Sequence, residues 1–160
     1  RAQIILVTKC PNQMTTVQQK KIINKIKPFN YQSVFFTKID YAEDIINREK
    51  KIILNSLTSP FLLITGIANP DPLVSYLEGK KLRFNHLRFS NHHQFSSLEI
   101  KKIKEKNSNK IILTTEKDFG RLESYFKSDV LFYLPISMCF FDNKETQRFQ
   151  NLLKDTLVQA

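Results

Sequence analysis

The sequence has 160 residues, 41% of them hydrophobic, and a formal net charge of +10 from 25 Lys and Arg against 15 Asp and Glu. That length suits a chain able to bury roughly 70% of the surface its unfolded form exposes, and two cysteines outside any CxxC or Cys/His cluster argue against a disulfide framework or zinc knuckle and for a reducing compartment. The longest apolar run, SPFLLITGI, is bounded by proline and glycine like a buried strand, which excludes a membrane span, while the positive charge favours nucleic acid, nucleotides or an anionic membrane surface as partners.

The first residue is Arg1 and AQIILVTK follows at once, so the chain reads as a fragment without an initiator methionine or signal peptide. QIILVT predicts a fully buried strand ending at Thr8. TTVQQKKIINKIK follows as a helix, with Thr15 and Gln18 at capping-box spacing and Pro28 as its stop. SVFFTKI is a second strand. Residues 40 to 58 are indistinct, and REKKIILNS within them reads as a short strand pairing with the second, giving a two-stranded linker arm around residues 33–56. PFLLITG is a strand between Pro60 and Gly66, and NPDPLVSYLEG a helix with proline in its first turn and Gly79 at its end. In KLRFNHLRF the apolar positions change face between Phe84 and Leu87, which predicts a bulge. SSLEIKKIKEK is a helix opened by Ser96 and Glu99, with Phe95 placed to staple onto Ile100. KIILTTEKD is a buried strand running into a cap at Thr115, whose partner three residues on is Asp118. VLFYLPI and SMCFF are strands, and NKETQRFQNLLKDTL a closing helix with Asp142 and Glu145 at cap spacing. Buried strands alternating with capped helices predict an α/β fold, a mostly parallel sheet flanked by helices, as a single domain over residues 1–160.

In an open α/β sheet, ligands gather at the carboxyl ends of the strands, where strand-to-helix loops and helix N-termini converge. The loops TKCPN, TGIANPDP, SNHHQF and TTEKD bring Thr8, Lys9, Gly66, Asn69, His92, Glu116, Lys117 and Asp118 to one edge. His92 and His93 are adjacent, and in an extended segment their side chains point to opposite sides. They therefore do not share a metal, and with no further ligand at a suitable offset no metal site is predicted. Two readings of the pair stay open. Either one histidine relays a proton at the sheet edge, or one faces solvent while the other hydrogen-bonds the start of the next helix. TTEKD divides in the same way, between a cap with first-turn charges and a phosphate or nucleotide contact through Lys117. Neither GxxxxGK[ST] nor GxGxxG occurs, so these residues hold no phosphate cradle of their own.

Taken in order, IILVTKCP, VFFTKIDY, LLITGIANPDPLVSYL, LRFSNHHQFSSLEI and KIILTTEKDFGRL resemble the C-terminal half of the tetraacyldisaccharide 4'-kinases of lipid A biosynthesis, from about residue 2 to the mid-120s. The resemblance implies a kinase using ATP and magnesium that, as the whole protein, phosphorylates the 4' hydroxyl of a tetraacyl glucosamine disaccharide at the cytoplasmic face of the bacterial inner membrane. It implies that the phosphate loop, metal-binding acids, catalytic aspartate and hydrophobic anchor lie in an N-terminal half outside this sequence, so that the fragment alone is inactive. A two-stranded linker would join the halves, and the C-terminal half would close over the nucleotide. The family's functional histidine, second in a DH pair, falls on His92, and Asn91 stands where most relatives have aspartate. Thr8 and Lys9 fall where the adenine is approached, with Ala68 and Asn69 nearby; support at the site edge is expected from Gly66, Asn91, Glu116, Lys117 and Asp118. The implied partners are ATP, the tetraacyldisaccharide lipid and an anionic membrane surface, with no nucleic acid expected. On the residues alone a second function class stands beside this one, a free-standing α/β module that binds nucleotide or nucleic acid without catalysis, favoured by the charge and the missing phosphate loop. A third is a structural domain that holds a partner by its basic face.

Overall fold

The computed structural model describes residues 2–107 and 110–158. In chain order its elements are β1 (Ile4–Cys10), α1 (Thr16–Ile26), β2 (Ser33–Tyr41), β3 (Asp44–Ile46), β4 (Lys51–Ile53), β5 (Phe61–Thr65) and α2 (Asp71–Gly79). They continue with β6 (Phe84–Arg88), α3 (Ser97–Asn107), β7 (Ile112–Thr115), α4 (Glu116–Leu122), β8 (Leu131–Leu134), β9 (Ile136–Phe140) and α5 (Asn143–Val158). This is an α/β chain, and it divides into two compact units, one of residues 1–40 with 136–160 and the other of residues 41–135.

The first unit carries a three-stranded sheet in the order β1, β2, β9. β1 and β2 run parallel from Ile4 opposite Ser33 to Val7 opposite Phe36, then the register slips and resumes at Cys10 opposite Lys38. The slip spans Thr8 and Lys9, and Lys9 has a left-handed φ of 57°, the conformation found in one class of β-bulge. QIILVT reads as a fully buried strand ending at Thr8, whereas β1 extends to Cys10 and leaves Leu6 43% exposed. Among the described residues β1 is an edge strand of this sheet, and Cys10 is its one buried residue. α1 opens with the reciprocal cap its sequence spells: Thr15 Oγ1 accepts from the Gln18 N–H at 3.2 Å, and Gln18 Oε1 accepts from the Thr15 N–H at 2.8 Å. At the centre, the fully buried Phe35 meets Phe140 and Phe149 edge-on, at 5.9 and 5.3 Å between ring centroids, and the Arg148 guanidinium lies 4.6 Å from its ring.

The second unit carries a six-stranded sheet in the order β4, β3, β8, β7, β5, β6. β6, β5, β7 and β8 run parallel to their neighbours; β3 is antiparallel to β8 through Ile46 opposite Tyr133, and β4 is antiparallel to β3. Alternation along the strands sends Leu63, Leu113, Phe132 and Leu134 into one core with Leu73 and Leu77 of α2. It sends Ile64, Ile112 and Leu131 into another with Ile100 and Ile103 of α3 and Leu122 of α4. Covered on both faces, these strands read as unbroken apolar runs, and each fully buried side chain contributes about 1.5–3 kcal/mol.

Two expectations about this unit are corrected. The 51–53 strand pairs with β3, not with the second strand, in a hairpin from Asp44 opposite Ile53 to Ile46 opposite Lys51. Asn47 closes it: Oδ1 accepts from the Glu49 and Lys50 N–H groups at 2.9 and 2.8 Å, and Nδ2 donates to the carbonyls of Ser128 and Leu131. The hairpin is thereby the antiparallel edge of the sheet and not a separate arm. The bulge expected in β6 is absent, since its register with β5 runs unbroken from Phe61 opposite Phe84 to Thr65 opposite Arg88. The apparent change of face reflects an edge strand with one apolar residue, Leu87, left 36% exposed on the side opposite Phe84.

The order β6, β5, β7 has a consequence for function. The chain leaves β5 toward β6 on one side, then returns past β5 to β7 on the other. In open α/β sheets ligands bind at the carboxyl ends of the strands that flank such a reversal, here β5 and β7.

Candidate functional site at the switch point

The loops after β5 and β7 are tied together by one carboxylate, and the loop after β6 joins them through Gly66. Asp118, in the first turn of α4, is wholly buried. Its Oδ2 accepts from the Gly66 N–H at 2.7 Å and from the Thr115 hydroxyl at 2.8 Å, and its Oδ1 faces Nη1 of Arg121 at 3.3 Å. The Asp118 N–H in turn donates to Thr115 Oγ1 at 3.2 Å, which caps α4. The spacing of Thr115 and Asp118 announces the cap; the bond to Gly66, a residue 52 positions away, is what makes the motif a clamp. Gly66 sits close against the clamp: a Cβ on it would lie 3.1 Å from Asp118 Oδ1, so a larger residue would require that side chain to shift by a few tenths of an ångström.

The Gly66 carbonyl closes the ring of contacts by accepting the His92 N–H at 3.2 Å. His92 is not in an extended segment: the Ser90 carbonyl accepts from the His93 N–H, and His92 has a φ of 61°. A left-handed conformation costs a residue with a side chain roughly 1–2 kcal/mol, so the bond to Gly66 and the turn have to hold it. The exposed imidazole stands between two cations. Nδ1 is 3.4 Å from Nη2 of Arg121, and Nε2 is 3.4 Å from Nζ of Lys117, which is also 3.4 Å from Asn91 Oδ1.

His93 does the other task that the pair left open. Its ring stacks on Phe89 at 4.6 Å and meets Phe95 edge-on, while Nε2 reaches the Glu99 carboxylate at 3.1 and 3.2 Å. Glu99 is the third residue of α3 and completes the capping box with Ser96, accepting from its N–H at 2.8 Å and its hydroxyl at 2.7 Å. Those Ser96 donors first, and His93 after them, hold the Glu99 carboxyl down at about 2.

The model of the Tetraacyldisaccharide-1-P 4'-kinase family matches residues 1–157. The chain belongs to this family. The tetraacyldisaccharide 4'-kinase of Flavobacterium psychrophilum is 41% identical over 148 residues, covering 91% of this chain and 43% of that protein. The enzyme of the same name from Bacteroides fragilis is 31% identical over 170 residues, covering 96% of this chain and 45% of that one. The chain thus spans less than half the length of the curated relatives it matches. Among solved structures, "apo" form LpxK from Aquifex aeolicus in complex with ATP shares the fold, with a TM-score of 0.53 over 90% of this chain and 49% of that one, at 13% identity.

Of the residues the sequence points to, Gly66, Asn91, His92, Lys117 and Asp118 meet in one cluster of this 4'-kinase family member. Ala68 and Asn69 lie exposed in the loop that Gly66 begins, where Asn69 Oδ1 accepts from the Asp71 N–H at 3.1 Å and starts α2. Glu116 does not join the cluster. It lines a shallow cavity of about 250 Å³ with Asn47, Arg48, Phe119, Glu123 and Tyr133. Thr8 and Lys9 are exposed at the end of β1, in the other unit. One participant, Arg121, and one neighbour, His86, were not singled out by sequence. Arg121 follows Asp118 by three residues, a helical spacing that would have placed the two side chains together. His86 on β6 hydrogen-bonds Thr65 Oγ1 at 2.8 Å, and burial, with the nearby Arg88 charge, pushes its pKa down. Among the described residues no group of three or more His, Cys, Asp or Glu side chains is placed to hold a metal ion. Asp118, the carboxylate of the cluster, has both oxygens engaged by the protein, so a magnesium ion does not fit here.

Proposed function

We propose that this chain is the C-terminal portion of a kinase that transfers the γ-phosphoryl group of ATP to the 4' hydroxyl of a tetraacyl glucosamine disaccharide in lipid A biosynthesis. The observation that carries this reading is the family match across residues 1–157, and the chemistry of the switch-point cluster agrees with it. Phosphoryl transfer is mainly positioning and charge stabilisation. An exposed imidazole flanked by the Lys117 ammonium and the Arg121 guanidinium puts a proton-handling group and two cations at the strand ends, where a transferring phosphoryl group would find complementary charge. In this reading His92 is the catalytic group, supporting the acceptance of the hydroxyl proton. Asn91, Lys117, Gly66 and Asp118 hold it, and Thr8, Lys9, Ala68 and Asn69 approach the nucleotide. Magnesium would be held by residues of the whole gene product outside the described part of this chain. The basic surface would meet phosphates of an anionic membrane at the cytoplasmic face of the inner membrane, with no need of nucleic acid.

The test uses the whole gene product that contains this sequence, supplied with ATP, magnesium and a tetraacyldisaccharide 1-phosphate. Phosphorylated lipid is expected, and His92→Ala is expected to lower turnover by about 10²–10⁴-fold with an unchanged melting temperature. Full turnover in the variant would reject the catalytic role, and absence of transfer in the unmutated protein would reject the function.

A further inference from the structure

We propose that Arg121 is a positioning residue for His92: anchored on the buried Asp118, it takes the lone pair of Nδ1 and leaves the ring proton on Nε2. This rests on His92 being the catalytic group, and adds a residue that decides which ring nitrogen can donate.

The Asp118 carboxylate is fully buried, while the Arg121 side chain keeps 31% of its surface exposed, so the pair spans from the interior to the surface of the loop cluster. Oδ2 is taken by the Gly66 N–H and the Thr115 hydroxyl, which leaves Oδ1 for Nη1 of Arg121. A guanidinium carries its donors in one rigid plane, so anchoring Nη1 on a fixed carboxylate restricts the directions open to Nη2. Nη2 points to Nδ1 of His92. Arginine has no acceptor and keeps its protons, so a neutral ring in this contact must offer a lone pair at Nδ1, and its proton then sits on Nε2.

Lys117 is the competing partner, at 3.4 Å from Nε2, and would select the opposite tautomer. Its ammonium is exposed on a flexible stem and has a second acceptor, Asn91 Oδ1, at the same distance. Arg121 has a buried anchor and Lys117 has none, so the guanidinium sets the ring and the ammonium turns to Asn91. The backbone reinforces this, since the His92 N–H is held by the carbonyl of Gly66, the residue whose N–H Asp118 binds. Ring and backbone of His92 are therefore both referred to one carboxylate.

The ring is read directly by a two-bond proton–nitrogen correlation spectrum of this chain labelled with nitrogen-15 histidine, at a pH where the rings are neutral. The three rings are assigned from His86→Gln, His92→Gln and His93→Gln. His92 should show a protonated Nε2 and an Nδ1 at the acceptor extreme. Arg121→Gln and Arg121→Ala should move Nδ1 toward the averaged value of histidine in an unstructured peptide, and Lys117→Ala should not. A protonated Nδ1 in the unmutated chain overturns the proposal even if an Arg121 variant fails to fold, as does an unchanged ring in folded Arg121→Ala. In the whole gene product, Arg121→Ala should lower kcat by about tenfold with KM for ATP unchanged, and cost almost nothing further in a His92→Ala background. Equal losses in both backgrounds would overturn the positioning role. A whole gene product without kinase activity would sink the function while the ring spectra still decide the tautomer.

Discussion

Asp118 does more than its motif announces. Thr115 and Asp118 are legible as a cap because both partners lie within one turn, whereas the acceptance of the Gly66 N–H joins two loops that only the strand order brings together. Asp118→Ala would leave a buried Gly66 N–H, the Thr115 hydroxyl and the Arg121 guanidinium without their acceptor. Unfolding in urea should show a loss of about 2–4 kcal/mol, with Asp118→Asn losing less because it keeps one acceptor oxygen. A loss under about 1 kcal/mol in the alanine variant would mean that the clamp is replaced by water at little cost. The histidine pair teaches a similar lesson. An extended segment would send the two rings to opposite sides, but the left-handed His92 is not extended; they part because His93 packs on Phe89 and reaches Glu99 while His92 stands between Lys117 and Arg121. Which ring faces the cations and which packs on Phe89 depends on the left-handed φ of His92, and nothing local in SNHHQF spells that conformation.

Helix starts are the elements the sequence describes best. The caps at Thr15, Ser96, Thr115 and Asp142 are all formed between residues three apart, so short-range chemistry suffices to find them. The β3–β4 hairpin is the counterexample. Three-residue strands carry too little alternation to show a face, and the partner that fixes them, Tyr133 of β8, is far off in sequence. The start of α3 gives a prediction with a defined sign. Ser96 and then His93 depress the Glu99 pKa from 4.5 to about 2, so the folded state binds this proton less readily than the unfolded chain. Its stabilisation is complete above the unfolded value of 4.5 and disappears as pH falls through about 2. Urea midpoints of the chain and of Glu99→Gln should therefore differ at neutral pH and converge as the pH is lowered through that window. A gap that stays constant down to pH 2 would show that the Glu99 charge contributes nothing to the cap.

At the scale of the whole chain, both apolar cores of the six-stranded sheet are built from residues 41–135, with Ile45 and Leu134 the outermost of their fully or nearly buried members. Sequence patterning marks neither boundary. β2 runs on to Tyr41, and only Pro135 separates β8 from β9, so no polar linker or change of composition announces where the chain passes from one unit to the other. The segment nonetheless begins and ends at one place, since the Ala42 N–H donates to the Pro135 carbonyl at 3.0 Å. A segment with its own core and adjacent ends meets the physical requirements of an independent domain. Residues 41–135 expressed alone should accordingly show a single cooperative thermal transition and a dispersed amide spectrum. Gly66, Asn91, His92, Lys117, Asp118 and Arg121 all lie within the segment, so its His92 ring should give the same nitrogen shifts as in the full chain. A broad, non-cooperative melt would show that residues 1–40 and 136–160 are needed to hold the sheet. A cooperative melt with altered His92 shifts would instead show that the first unit acts on the switch-point cluster.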